Sequence, residues 1–178
     1  PPASERAQRL WAFEAGGSVL GSLEGIGPSF APMARVEIAF GGRYLGRLTL
    51  AGLGTEAHVG TPAGAADVSQ HLALLEIGAR FRLDRRLQPF LSAGGGVMLV
   101  TADGRTAWPY EARSSSRLVA ALDGGAGIRI PIGGRFELGT ELHLLAARPY
   151  PVIRFVDVEV ARAGRPTLIG SVTLVAWM

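Results

Sequence analysis

Residues 135–145, Arg-Phe-Glu-Leu-Gly-Thr-Glu-Leu-His-Leu-Leu, alternate between apolar and polar without a slip. A strand turns successive side chains to opposite faces. Phe136, Leu138, Leu142 and Leu144 therefore share one face, and Glu137, Gly139, Glu141 and His143 share the other. One such strand is compatible with many folds. About eight in succession, with acids and arginines on the polar faces, leave two solutions. Either the charges face water around a Leu/Val/Phe core, or they line a closed tube whose apolar exterior touches lipid.

The other alternating segments run near Leu10–Leu20, Met33–Gly41, Tyr44–Leu53, His71–Leu83, Gln88–Thr101, Arg117–Ile130 and Leu168–Met178. Their connections alternate in length. Gly41-Gly42-Arg43, Asp84-Arg85-Arg86 and Pro131-Ile132-Gly133-Gly134 are short and have tight-turn chemistry. Residues 21–32, 54–70, 102–116 and 146–167 are long and rich in Gly, Pro, Ser, Ala and charge. Strands of about 9–11 residues suit a tilted crossing of the hydrocarbon layer. A meander with short turns at one end and long loops at the other predicts a transmembrane barrel with both termini on the short-turn, periplasmic side. Val152–Val160 also alternates, and taken literally makes a ninth strand. Even strand numbers favour a hairpin projecting from the fourth long loop instead, and Pro149 and Pro151 interrupt pairing just before it.

The inner faces then carry the acids Glu14, Glu37, Glu76, Asp123, Glu137 and Glu141, and the bases Arg35, Arg47, Arg80, Arg82 and Arg129 with His143. An eight-stranded barrel is just wide enough for its own side chains to fill it. Buried ions must be paired, so the expectation is a salt-bridged polar plug rather than a pore. Small inner residues such as Gly94, Gly125, Gly127 and Gly139 make room for the long ones. A soluble sandwich needs large side chains on the apolar faces. Here many are small (Ala15, Gly17, Gly46, Ala79, Ala93, Gly124, Ala126), which lipid tolerates and a packed core does not.

Composition narrows the function classes. No stretch approaches the ~18 apolar residues of a membrane-spanning helix. Cysteine is absent, which removes disulfides, thiolate metal sites and Cys nucleophiles. The net charge is +3, and all 18 basic residues are arginine, the side chain that pairs carboxylates bidentately and stays charged when buried. They are scattered singly among acids rather than clustered with aromatics, which argues against nucleic acid as a partner.

Gln88-Pro-Phe-Leu-Ser-Ala-Gly-Gly-Gly-Val97 resembles the Pro-aromatic-x-x-Ala-Gly-x-Gly strand of small outer-membrane barrels. With the meander and the apolar final strand ending Ala176-Trp177-Met178, the chain resembles the eight-stranded OmpA/OmpX-like family over about residues 9–178. Members usually end in an aromatic; here Trp177 is penultimate, and on this alternation it faces inward. The resemblance implies an all-β, eight-stranded antiparallel up-and-down transmembrane β-barrel with a charged, plugged interior. It also implies an outer-membrane location. Residues 1–8 are expected to be an N-terminal tail, Pro1-Pro2-Ala3-Ser4-Glu5 reading as what export-signal cleavage leaves behind.

The expected role is structural, adhesive or partner-docking through the outer loops. The expected partners are outer-membrane lipid, lipopolysaccharide and other envelope proteins, with no cofactor, metal or catalytic residues. Arg105, Arg113, Arg148, Arg154, Arg162 and Arg165 lie in or beside those loops, where they would meet lipopolysaccharide phosphates or solvent. Two alternatives stand beside this reading. One is a soluble ligand-binding barrel. The other is a lipid A deacylase-like enzyme with a Ser/His/acid arrangement. For the enzyme, His143 lies two residues from Glu141, but position 145 is Leu rather than Ser; Ser69 and His71, and Ser114-Ser115-Ser116, lie elsewhere. His58 and His71 lack metal-ligand spacing, and Gly94-Gly95-Gly96 lacks the Lys and helix of a phosphate loop.

Overall fold

The computed structural model describes residues 10–23, 27–61, 64–105, 114–149, 152–155, 158–162 and 166–178. The strands are β1 (Trp11–Ser22), β2 (Ser29–Phe40), β3 (Tyr44–Ala51), β4 (Ala57–Thr61), β5 (Gly64–Arg80), β6 (Gln88–Arg105), β7 (Ser114–Gly133), β8 (Phe136–Arg148), β9 (Val152–Phe155), β10 (Val158–Arg162) and β11 (Thr167–Trp177). Eight of them form a ring in the order β3-β2-β1-β11-β8-β7-β6-β5, closed by pairing of β3 with β5. All neighbours are antiparallel, and the first and last strands pair along their whole length, from Ala12–Trp177 to Ser22–Thr167. Closure leaves the ring without a free edge, so its backbone hydrogen bonds are satisfied within the sheet.

The turns follow from local chemistry. Gly41 and Gly42 adopt φ of 60° and 76° between Phe40 and Tyr44, and Gly134 adopts 52° between β7 and β8. These are left-handed conformations that a Cβ disfavours.

The alternation sets the orientation. Trp11, Phe13, Ile38, Leu48, Leu75, Ile77, Leu122, Leu142 and Leu174 are exposed, whereas Glu14, Arg35, Glu37, Arg47, Glu76, Arg129 and Glu141 are buried. This inversion of the water-soluble pattern belongs in hydrocarbon, where an apolar surface costs nothing and ions must be enclosed. Trp11, Phe40, Tyr44 and Phe136 form an exposed aromatic group near the short-turn end, as expected where a bilayer meets water.

Strand runs into two of the segments read as loops. β5 begins at Gly64, and its first residues pair with β4, which continues the line of β3 after a break at 52–56. The break is pinned to its neighbours. Leu53 sits at φ 57°, the Thr55 amide donates to the Phe30 carbonyl (2.7 Å), and the Phe30 amide donates to Thr55 Oγ1 (2.9 Å). β6 and β7 pair out to Asp103–Ser114. Among the described residues of the fourth loop, β9 and β10 pair only with each other, a hairpin outside the barrel sheet that lies beside β4. The expected tail, residues 1–8, lies outside the described residues.

These extensions give the interior two tiers. The polar plug fills the middle of the barrel, above a cavity and the small apolar cluster of Ala12, Val175 and Trp177 at the short-turn end. Above it, toward the long loops, the lumen is packed with Leu20, Met33, Leu72, Leu74, Met98, Val100, Val119, Leu145 and Ile169. Leu20, Met33, Leu72, Leu145 and Ile169 stand at the borders of stretches that read as loop in the sequence.

Candidate functional site

The ionic tier is the most chemically distinctive part of the molecule. Neighbouring strands bring Glu14 opposite Arg35, Glu37 opposite Arg47, and Arg47 opposite Glu76. Ring closure adds pairs that span the lumen. From β7, Arg129 grips Glu37 of the facing β2 bidentately (Nη1–Oε2 2.7 Å, Nη2–Oε1 2.6 Å) and also contacts Glu14. From β3, Arg47 reaches Glu141 of the facing β8 (3.1 Å) while donating to Glu76 (2.6 Å) and Ser92 Oγ (3.1 Å). Arg35 joins Glu14 (3.2 Å), Glu141 (2.7 Å) and Thr49 Oγ1 (3.0 Å). Thr49 in turn donates to Glu76 (2.5 Å). Multiply bonded ions of this kind meet the condition for burial without water.

His143 lies 2.8 Å from Asp123 through Nδ1 and 2.8 Å from Glu141 through Nε2. Both ring nitrogens are therefore engaged by carboxylates. A triad needs one of them turned toward a nucleophilic hydroxyl, and His143 has neither to spare. Glu76, Asp123 and His143 present ligand-type atoms within 4.8 Å of one another. Arg47 and Thr49 hold Glu76 and His143 holds Asp123, so the trio is part of the ionic network.

Three expected members sit at or beyond the lower edge of this network, where Glu137 comes within 4.0 Å of Arg129. Arg80 and Glu137 form a lower pair (3.4 Å), with Arg80 also donating to Gln88 Oε1 (2.9 Å). Arg82 corrects the expectation outright. β5 ends at Arg80, and Arg82 is exposed at φ 54° in the connection to β6. The alternation of residue types continues past the point where the backbone leaves the sheet.

Other participants were visible only as spacers in the sequence. Phe90 is buried, with the guanidinium carbons of Arg47 and Arg129 at 5.2 and 5.1 Å from its ring centroid, a cation–π contact with each of the two arginines. Its position two residues from Ser92 puts it on the inner face, which is the signal that could have found it. Gly127 admits its ring: a Cβ there would lie 2.6 Å from Phe90 Cε1. Gly125 does the same for His143, since a Cβ would meet Nδ1 at 2.5 Å. A Cβ on neighbouring Gly124 meets nothing within 4 Å. Gly125→Val is therefore expected to destabilise the barrel by about 1–3 kcal/mol, with Gly124→Val near neutral, measured by urea unfolding in detergent micelles.

Of the loop arginines, Arg148 is exposed at the end of β8. Arg113 and Arg165, and the side chains of Arg105, Arg154 and Arg162, lie outside the described residues. Ser69 and His71 sit on β5 in the upper wall, where His71 Nδ1 accepts from the Leu53 amide (3.3 Å).

No protein-family model matches the chain, and no curated protein matches it in sequence. Solved structures match its fold. Neisserial surface protein A superposes with a TM-score of 0.64 at 10% identity, over 94% of this chain and 97% of that one. A major outer membrane protein from Thermus thermophilus gives 0.64 at 10%, over 94% and 99%. Ail, the attachment invasion locus protein of Yersinia pestis, gives 0.55 at 12%, over 95% and 97%; that protein has also been solved with the heparin analogue sucrose octasulfate. The chain thus has the fold of the small eight-stranded barrels of the bacterial outer membrane, along with the apolar belt that such a location demands.

Proposed function

We propose that this outer-membrane barrel is a non-enzymatic stem that carries its long loops as a docking or adhesion surface, with its short turns and termini in the periplasm. The observation that carries the reading is the filled lumen. Ions tied across the ring lie beneath a packed apolar tier, which makes a rigid support rather than a conduit. The engagement of both His143 nitrogens favours a structural over a hydrolytic role. Ail, the attachment invasion locus protein, has a similar fold and supports adhesion as the loop function. Exposed Arg148 supports contact with lipopolysaccharide or another anionic envelope component.

The test compares cells displaying the chain with cells displaying a version whose segments 106–113 and 149–166 are replaced by short Gly-Ser linkers. Attachment to surfaces or envelope partners is expected to fall to background while heat-modifiable gel mobility persists. The reading also expects no single-channel conductance in planar bilayers and an unchanged lipid A mass spectrum. Loss of a lipid A acyl chain on expression, abolished by His143→Ala, would replace it with the enzymatic one.

A further inference from the structure

At the short-turn end the barrel opens into a cavity of about 500 Å³. Each of the three short connections sets an arginine on its wall: Arg43 after Gly41-Gly42, Arg82 after β5 and Arg135 after Gly134. Arg82 does so from φ 54°, a strained conformation for a residue with a Cβ. Arg80 lines the cavity beside Trp177, its guanidinium carbon 5.0 Å from the Trp177 ring centroid. The acids on the wall are Asp84 and Glu137, and Glu137 is already taken by Arg80. Phe81 and Leu83 supply apolar surface.

Trp177 adds an independent sign of a missing partner. It is 5% exposed and lines the cavity, yet its indole N–H has no acceptor among the described residues. Buried donors are nearly always paired. A surplus of cations, aromatic walls and an unused buried donor converge on one kind of occupant.

We propose that this mouth binds an oxyanion, a phosphate or carboxylate carried on a flat or apolar body. Arg43, Arg82 and Arg135 take the charge, the Trp177 N–H donates to it, and Phe81 and Leu83 cover the body. The group could be supplied by a lipid of the surrounding leaflet or by a soluble molecule, and the assay distinguishes these sources. The site is separate from the loop surface and does not depend on its role.

The probe is phenyl phosphate, titrated into the full chain in nonionic micelles. It is read by Trp177 fluorescence in a Trp11→Phe/Trp108→Phe background and by calorimetry, with benzyl alcohol as the uncharged control. Saturable binding of the phosphate alone is expected. Arg43→Gln/Arg135→Gln should weaken it by about tenfold or more. Arg86→Gln/Arg117→Gln removes the same charge from exposed positions off the cavity wall, and should change it by less than about twofold. Trp177→Phe, followed by calorimetry, should weaken it while heat-modifiable mobility shows the barrel still folded. In nanodiscs, suppression of phenyl phosphate binding by phosphatidylglycerol relative to phosphatidylcholine identifies a lipid headgroup as the source; equal binding in both identifies a soluble one. Absence of a saturable response at millimolar probe, or equal weakening by the two double variants, overturns the proposal.

Discussion

Arg129→Met is expected to lower the unfolding free energy of the barrel by about 3–5 kcal/mol, the cost of stranding buried carboxylates after removal of their partner. Arg129 is fully buried and holds both Glu37 oxygens and one oxygen of Glu14. Methionine fills similar volume, so the loss is electrostatic rather than a void. Arg35 still reaches Glu14, but Arg47 approaches Glu37 only to 3.8 Å, so Glu37 is left worst off. Adding Glu37→Gln to Arg129→Met should recover a large part of the loss, because a neutral amide is far cheaper to bury than an unpaired ion. Urea titration in micelles, monitored by tryptophan fluorescence, measures both. Equal stability of Arg129→Met and the parent would show that water reaches this tier.

Leu75→Arg is expected to cost about 2–4 kcal/mol in a bilayer, the range for a cation on the lipid face near the midplane. Leu75 is 69% exposed and pairs with Leu48, midway along the shortest barrel strand, with Gly95 on its other side. Neither neighbour offers a counter-ion. Leu53→Arg, at an 89% exposed position in the break after β3, is the matched control and should be near neutral. The pair separates the membrane barrel from a soluble one, in which both changes would place a charge in water at little cost. Folding yield into vesicles, with urea midpoints of the inserted protein, gives the comparison.

The faces of the barrel were legible because a period of two is a local property. Glu137, Glu141 and His143 point inward for the same reason that Phe136, Leu138 and Leu142 point outward. Pairing across the lumen was not legible. Arg129 and Glu37 stand 92 positions apart, and their meeting depends on strand order, tilt and stagger around the closed ring. Arg82 misled because residue type keeps alternating after the chain has turned. The apolar upper tier was hidden for the opposite reason: Gly, Ala, Ser and charge mark segments such as 54–70 and 102–116 as loops, while Val68 and Ala102 continue the inner rows of β5 and β6. The short-turn cavity left only a faint trace, an arginine within or beside each tight turn.

The ties between β7 and β2, and between β3 and β8, bear on how such a chain enters a membrane. Each joins halves of the polypeptide made far apart in time. Delivered alone into hydrocarbon, the β8–β11 pair would carry Glu137 and Glu141 without an inward arginine, and β1–β2 would carry Glu37 without its Arg129 partner. Threading the strands one by one therefore meets a steep electrostatic barrier, and the low-energy route assembles the two halves face to face as they go in. Insertion and cyclisation become a single cooperative act, enforced by ions that never see lipid in the finished protein.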